Sequence, residues 1–155
     1  MRRFPQEQLL RAVVDRGELT AAQIDGLAKT IAEFHQETDR AEEESPYGTT
    51  KAIWDAAREN LDFLDQRELT PHRAALRDCI RQRTEESWKT LAADCAARRD
   101  KGFVRECHGD LHLGNMVLLN GRITVFDAIE FNPGFRWIDV MNEVAFVVMD
   151  LERRG

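Results

Sequence analysis

Three cysteines, an excess of acid over base and the absence of any long apolar run narrow this chain before any motif is read. Cys79, Cys95 and Cys107 are odd in number and show no CxxC spacing, which excludes a disulfide framework and fits reduced thiols in a cytoplasmic protein. Twenty-two basic residues against 28 acidic ones leave a formal net charge of −6. Such a surface lacks the positive charge that nucleic acid phosphates require. No apolar run approaches the roughly 20 residues of a bilayer span, so no membrane partner is expected. The opening MRRFPQEQLL has neither the apolar run nor the small-residue cleavage site of a secretory signal. Internal repeats and low-complexity segments are also missing. What remains is ordinary for a globular protein: 43% hydrophobic and 32% charged over 155 residues. That is one domain by length, with enough chain to bury a core.

The first hundred residues read as helices. Pro5 opens a helix that QLLRAVVDRG carries to Gly17. Thr20 followed by Gln23 is a capping-box signature, and Ile24, Leu27, Ala28, Ile31 and Phe34 make an apolar stripe behind it. His35 lies beside that stripe and reads as a satisfied core histidine. DRAEEESPYGTT breaks the pattern as a loop. Its acidic run at 42–44 has the charge to attract a cationic substrate, though the simpler reading is a solvated face. A third helix spans about 51 to 67, with Ile53, Trp54, Ala57, Leu61 and Leu64 on one side. Thr70 and Pro71 cap a long fourth helix ending at Gly102, with Leu76, Ile80, Trp88, Leu91 and Cys95 as its expected inner line.

The pattern then changes. FVREC is a short strand, with Cys107 as a buried strand residue, and MVLLNGRITVF is a hairpin around Asn120-Gly121. IDVMNEVAFVVMDLERR reads as a helix, nearly apolar all round, of the kind covered on several sides. The expected architecture is α+β, mainly helical, as a single domain over 1–155. It is helical over 1–102, loop and hairpin over 103–127, and an exit segment with a buried-type helix over 128–155.

Between strand and hairpin stands CHGDLHLGN, residues 107–115. Asp110 and Asn115 share this loop, and the hairpin folds the chain back so that Asp127 returns beside them. Two carboxylates and one amide form an oxygen-donor set suited to Mg²⁺, which leaves positions for water and phosphates. Protein kinases use a loop Asp as base, an Asn five residues later and a downstream Asp as metal ligands. HGDLHLGN, VFDAIEF and FRWIDV resemble the signature of the aminoglycoside phosphotransferase and choline kinase family, small-molecule kinases with a protein-kinase-like fold. LAKTIAEFHQ resembles the family's helix after the hinge, so the likeness runs from about residue 20 to about residue 150.

The resemblance implies that Asp110 is the catalytic base, that Asn115 and Asp127 ligate Mg²⁺, and that His108 holds the loop without doing chemistry. It assigns Asp139 a structural role, accepting hydrogen bonds from backbone amides of the catalytic loop. It implies ATP as phosphate donor and a small hydroxyl-bearing molecule as acceptor. Leu113 departs from the family's common proline, and Asp127 is followed by Ala-Ile-Glu where many members place a carboxylate two residues on. The family's small N-terminal lobe, with its glycine-rich loop and phosphate-gripping lysine, has no counterpart here. MRRFP looks like the end of a hinge strand, and Lys29 and Lys51 fall on expected helices. The chain therefore reads as a large-lobe fragment, inactive alone, whose exposed apolar helix favours self-association. No GxxxxGK[ST] stretch indicates a fused P-loop domain.

Two readings from other classes stand beside the kinase. One is a catalytically silent binding or regulatory module. The other is a metal-dependent phosphohydrolase built on His108, Asp110 and His112, which alternate on an extended segment. Glu130 and Arg136 are candidates for an ion pair near the site.

Overall fold

A computed structural model describes residues 4–154 of the chain. Met1, Arg2 and Arg3, which carry most of the expected hinge-strand ending, lie outside the described residues, as does Gly155. The described chain divides into two compact units. One joins the residues up to Ala41 with those from Val104 onward, and the other comprises Glu42–Phe103. The architecture is mainly helical with two small antiparallel sheets. Among the described residues no helix is long and apolar enough to cross a membrane.

The first unit opens with a shorter helix than its sequence suggests. Pro5 precedes only a 3₁₀ turn at Gln6–Gln8, because Leu9 adopts an extended ψ of 134° and bridges to Val117. Helix α1 (Leu10–Asp15) starts after that bridge. It ends at Gly17, whose φ of +68° suits glycine. Helix α2 (Ala21–Glu37) opens with the expected capping box: Gln23 N–H donates to Thr20 Oγ1 and Thr20 N–H to Gln23 Oε1. Its buried line is narrower than the apolar stripe and runs Leu27, Ile31, His35, while Ile24 and Phe34 stay exposed.

Strand β1 (Val104–Glu106) pairs with β4 (Trp137–Asp139), and β2 (Met116–Leu119) with β3 (Arg122–Val125). Asn120 and Gly121 turn the hairpin with φ of 49° and 76°, the left-handed pair a tight two-residue turn needs. A short helix α5 (Pro133–Arg136) precedes β4, and α6 (Val140–Glu152) follows it. Ile138 and Asp139, expected in the last helix, instead lie in β4, in register with Arg105 and Val104 of β1, before α6 begins. Leu10, Val13, Leu27, Ile31, Leu111, Leu113, Met116 and Val147 form the core. Helix α6 buries Glu143 and Val147 and exposes Met141, Val148 and Met149. Ala41 N–H donates to Val104 O at 2.9 Å, and Arg40 bridges Arg105, so the two stretches of this unit meet where they leave it.

The second unit is a helical hairpin. Helix α3 (Thr50–Asp65) turns Ile53, Trp54, Ala57, Leu61 and Leu64 inward as its periodicity predicts, with Leu61 buried. Helix α4 (Pro71–Asp100) is capped by Thr70 with Pro71 in its first turn. Its expected inner line is displaced. Leu76, Ile80 and Leu91 are exposed, and no residue of α4 is buried. Arg77 and Arg81 face α3 instead and pair with Asp65 and Asp62. Trp54 and Trp88 stack at 5.5 Å and keep one aromatic contact in the seam. Arg99 reaches back to the carbonyls of Glu43, Ser45 and Tyr47, holding the acidic loop by its backbone.

Candidate functional site

The CHGDLHLGN loop is built by alternation. Leu111 and Leu113 are 3% and 0% exposed and anchor the loop in the core, while Asp110 and His112, which alternate with them, stay part-exposed. Each buried leucine contributes about 1.5–3 kcal/mol, enough to hold the polar groups on a firm base. Gly109 has a φ of +86°, and a Cβ there would stand 2.6 Å from Phe135 O. Only glycine fits that contact. The return segment is pinned on both sides: Cys107 N–H donates to Arg136 O at 2.8 Å and Ile129 N–H to His108 O at 3.0 Å.

Asn115 is buried, and its Nδ2 donates to Asp110 O at 3.0 Å and to Asp110 Oδ2 at 3.1 Å. With the amide nitrogen spent, Oδ1 is the atom of Asn115 left for a ligand. His108 Nδ1 accepts from Asp110 N–H at 3.2 Å. Its Nε2 therefore carries the proton and donates to Phe126 O at 2.9 Å. Phe126 N–H in turn donates to Asn115 O at 3.0 Å. The residue before Asp127 is thus tied to both His108 and Asn115. Asp127 itself sits at φ +66°, a left-handed position that costs a residue with a Cβ about 1–2 kcal/mol. His112 Nδ1 accepts from Gly114 N–H, and its Nε2 lies 3.5 Å from Asp110 Oδ2. Both ring nitrogens of His108 are committed to the main chain, so His108, Asp110 and His112 do not form an open ligand set.

Asp139 caps α6 by accepting from Met141 N–H at 2.8 Å. Glu143, 1% exposed, takes a loop amide: its Oε1 accepts from Gly109 N–H at 2.8 Å. Its Oε2 lies 2.7 Å from His35 Nε2. Asp150 Oδ2 likewise accepts from Leu113 N–H at 3.0 Å. Neither Glu143 nor Asp150 was among the candidates read from sequence. The available signal was a carboxylate inside an otherwise apolar helix, a group that must find donors if it is buried. Arg136 pairs with Glu106 at 2.6 Å. Burial, with Glu143 and Asp139 adding negative charge nearby, pushes the Cys107 thiol up. A cleft of about 690 Å³ opens beside these groups, lined by His108, Asp127, Arg136 and Glu143 on its polar side and by Ile31 and Phe126 on its apolar side.

Residues 1–153 match the model of the phosphotransferase enzyme family. The chain is also 29% identical, over 160 aligned positions, to the uncharacterized proteins Rv2004c of Mycobacterium tuberculosis and Mb2027c of Mycobacterium bovis. The alignment covers the whole of this chain and 31% of each relative, so the chain spans about a third of the length of these curated relatives. No solved structure shows significant similarity to it.

Proposed function

The chain belongs to the phosphotransferase enzyme family, and from that premise we propose that it carries the catalytic core of a small-molecule kinase with a protein-kinase-like large lobe. In this reading ATP supplies a γ-phosphoryl group to a hydroxyl of a small acceptor. Asp110 is the base, Asn115 and Asp127 are the Mg²⁺ ligands, and His108 and Asp139 are supporting residues. The observation that carries the reading is the cross-tie through His108 and Asn115, which links Asp110 to the segment bearing Asp127.

The donor set fits the ion. Asn115 Oδ1 and the Asp127 carboxylate are hard oxygen donors, few enough to leave room for water and phosphate oxygens. Bound Mg²⁺ would supply neutralisation of phosphate charge. The remaining work falls to the chain. The Asn115 amide holds one oxygen of Asp110, so the other is free to accept the acceptor's hydroxyl proton and aim its oxygen in line. Glu143 fixes Gly109, the residue before the base, and so limits how far that carboxylate wanders. His108 does no proton transfer, since neither ring nitrogen is available.

The test is Mg²⁺-dependent ATP binding and phosphoryl transfer to a panel of hydroxyl compounds, made with the protein as its cell produces it. Asp110→Asn should retain nucleotide binding and lose about 10²- to 10⁴-fold in turnover. Asp127→Asn should lose the Mg²⁺ dependence of nucleotide binding. Unchanged turnover in Asp110→Asn removes the base assignment. Absence of any Mg²⁺-dependent nucleotide binding removes the kinase reading and favours a silent module.

A further inference from the structure

We propose that His35, Cys107 and Glu143 form a binding site for a borderline-soft divalent cation of the Zn²⁺ class, distinct from the oxygen-donor set of Asp110, Asn115 and Asp127. The proposal does not rest on the phosphotransfer reading.

Three elements that are distant in sequence bring these groups together. His35 ends the buried line of α2, Cys107 directly follows β1, and Glu143 lies in the first turn of α6. Each offers one ligand atom, and the three atoms lie within 4.8 Å of one another. All three residues are buried, with exposures of 8%, 3% and 1%. A cluster of this kind differs from a surface group of carboxylates, which water and salt can satisfy.

Donor chemistry selects the ion. A thiolate, an imidazole and one carboxylate oxygen suit Zn²⁺ or Co²⁺, whereas Mg²⁺ takes oxygen and keeps its waters. Charge selects it again. A divalent cation with one thiolate, one carboxylate and a neutral imidazole sums to zero, which removes the penalty for an uncompensated charge in a buried place. His35 Nε2 and Glu143 Oε2 already stand 2.7 Å apart, and Cys107 Sγ lies within 4.8 Å of both. Around a tetrahedral ion with nitrogen and oxygen at about 2.0–2.1 Å and sulfur at about 2.3 Å, the His35–Glu143 pair opens by roughly 0.6 Å and the sulfur moves to about 3.6 Å from each.

The surroundings are those of a ligand set. Glu143 Oε1 accepts from Gly109 N–H, so the carboxylate is oriented by its second oxygen while Oε2 remains for the ion. Cys107 and Glu143 both line the cleft, which gives an entry path and a water for the fourth position. Cys107 Sγ lies 3.6 Å from Ile138 O, a weak bond that the thiol gives up with its proton when the ion binds. The proton leaves to solvent, together with any proton held between His35 and Glu143, so uptake of the ion is accompanied by proton release.

Co²⁺ is the probe, titrated into the reduced, metal-stripped chain. The expected result is one equivalent bound, with a thiolate-to-Co²⁺ charge-transfer band that excess Mg²⁺ does not remove and Zn²⁺ does. Cys107→Ser should abolish the band, and His35→Gln should weaken binding at least tenfold. A Cys79→Ser/Cys95→Ser double variant should bind as the parent does, which keeps the result independent of any folding defect at Cys107. Absence of the band in the parent, its persistence in Cys107→Ser, or its loss in the double variant overturns the proposal.

Discussion

His35 Nε2 lies 2.7 Å from Glu143 Oε2, a contact between residues 108 positions apart that joins α2 to α6 behind the CHGDLHLGN loop. Glu143 is the deepest charged group described, and its other oxygen holds Gly109. Removing His35 leaves that carboxylate with one backbone donor. His35→Ala should therefore destabilise the chain by about 3–5 kcal/mol, and Glu143→Ala by a similar amount. Urea unfolding of the two single variants and the double variant measures this. Losses that simply add would show that the pair does not act as a unit.

Gly109 and Gly17 both have positive φ, +86° and +68°, but their surroundings differ. A Cβ at Gly17 meets nothing within 4 Å, whereas one at Gly109 meets Phe135 O at 2.6 Å. Gly17→Ala should cost only the backbone term, about 1–2 kcal/mol. Gly109→Ala adds a clash with main chain, so it should cost clearly more and displace the 129–136 segment. Thermal melts of both variants side by side give the comparison, and equal losses would argue against the close approach.

Cys107 sets an alkaline limit. Burial, reinforced by Glu143 and Asp139, raises its folded pKa above the ordinary thiol value of 9.0, and the charge of Arg105 offsets only part of this. A raised folded pKa means stability that is full below pH 9 and declines above it, as the unfolded chain ionises and the folded one does not. The slope attributable to this group is at most about 1.4 kcal/mol per pH unit. Urea unfolding from pH 8 to 10 should show that decline, reduced in Cys107→Ala. For the same reason iodoacetamide should label exposed Cys79 quickly and Cys107 only on unfolding.

Helix α6 leaves Met141, Val148 and Met149 at 55%, 43% and 56% exposure. Such a patch favours association. The chain should form dimers or larger species at high concentration by light scattering, and Met149→Lys should shift it toward monomer. A monomeric parent at the same concentration would count against association through this face.

Local signals in the sequence translated well. The Thr20–Gln23 box, the Thr70–Pro71 cap and the Asn120-Gly121 turn each depend on neighbours within three residues, and each is present. The misread elements depend on partners far away. Leu9 leaves the helix for Val117, Ile138 leaves it for Arg105, and α4 turns Arg77 and Arg81 toward Asp65 and Asp62. Periodicity weighs hydrophobicity along one helix and carries no information about the charges opposite. At the candidate site, Asp110 and Asn115 are close enough in sequence for their contact to follow from one loop. Glu143 was not legible in the same way, because its role depends on Gly109 and His35 arriving from two other elements.

The hydrogen bond from Ala41 to Val104 has a consequence for how such a chain can be varied. The points where the chain leaves and re-enters the first unit are already stitched together, so everything from Glu42 to Phe103 is a cassette. A short turn, or a different pair of helices, could replace it without rethreading the loop, the hairpin or α6. Diversification by exchange of a whole helical insert is thereby open to this scaffold.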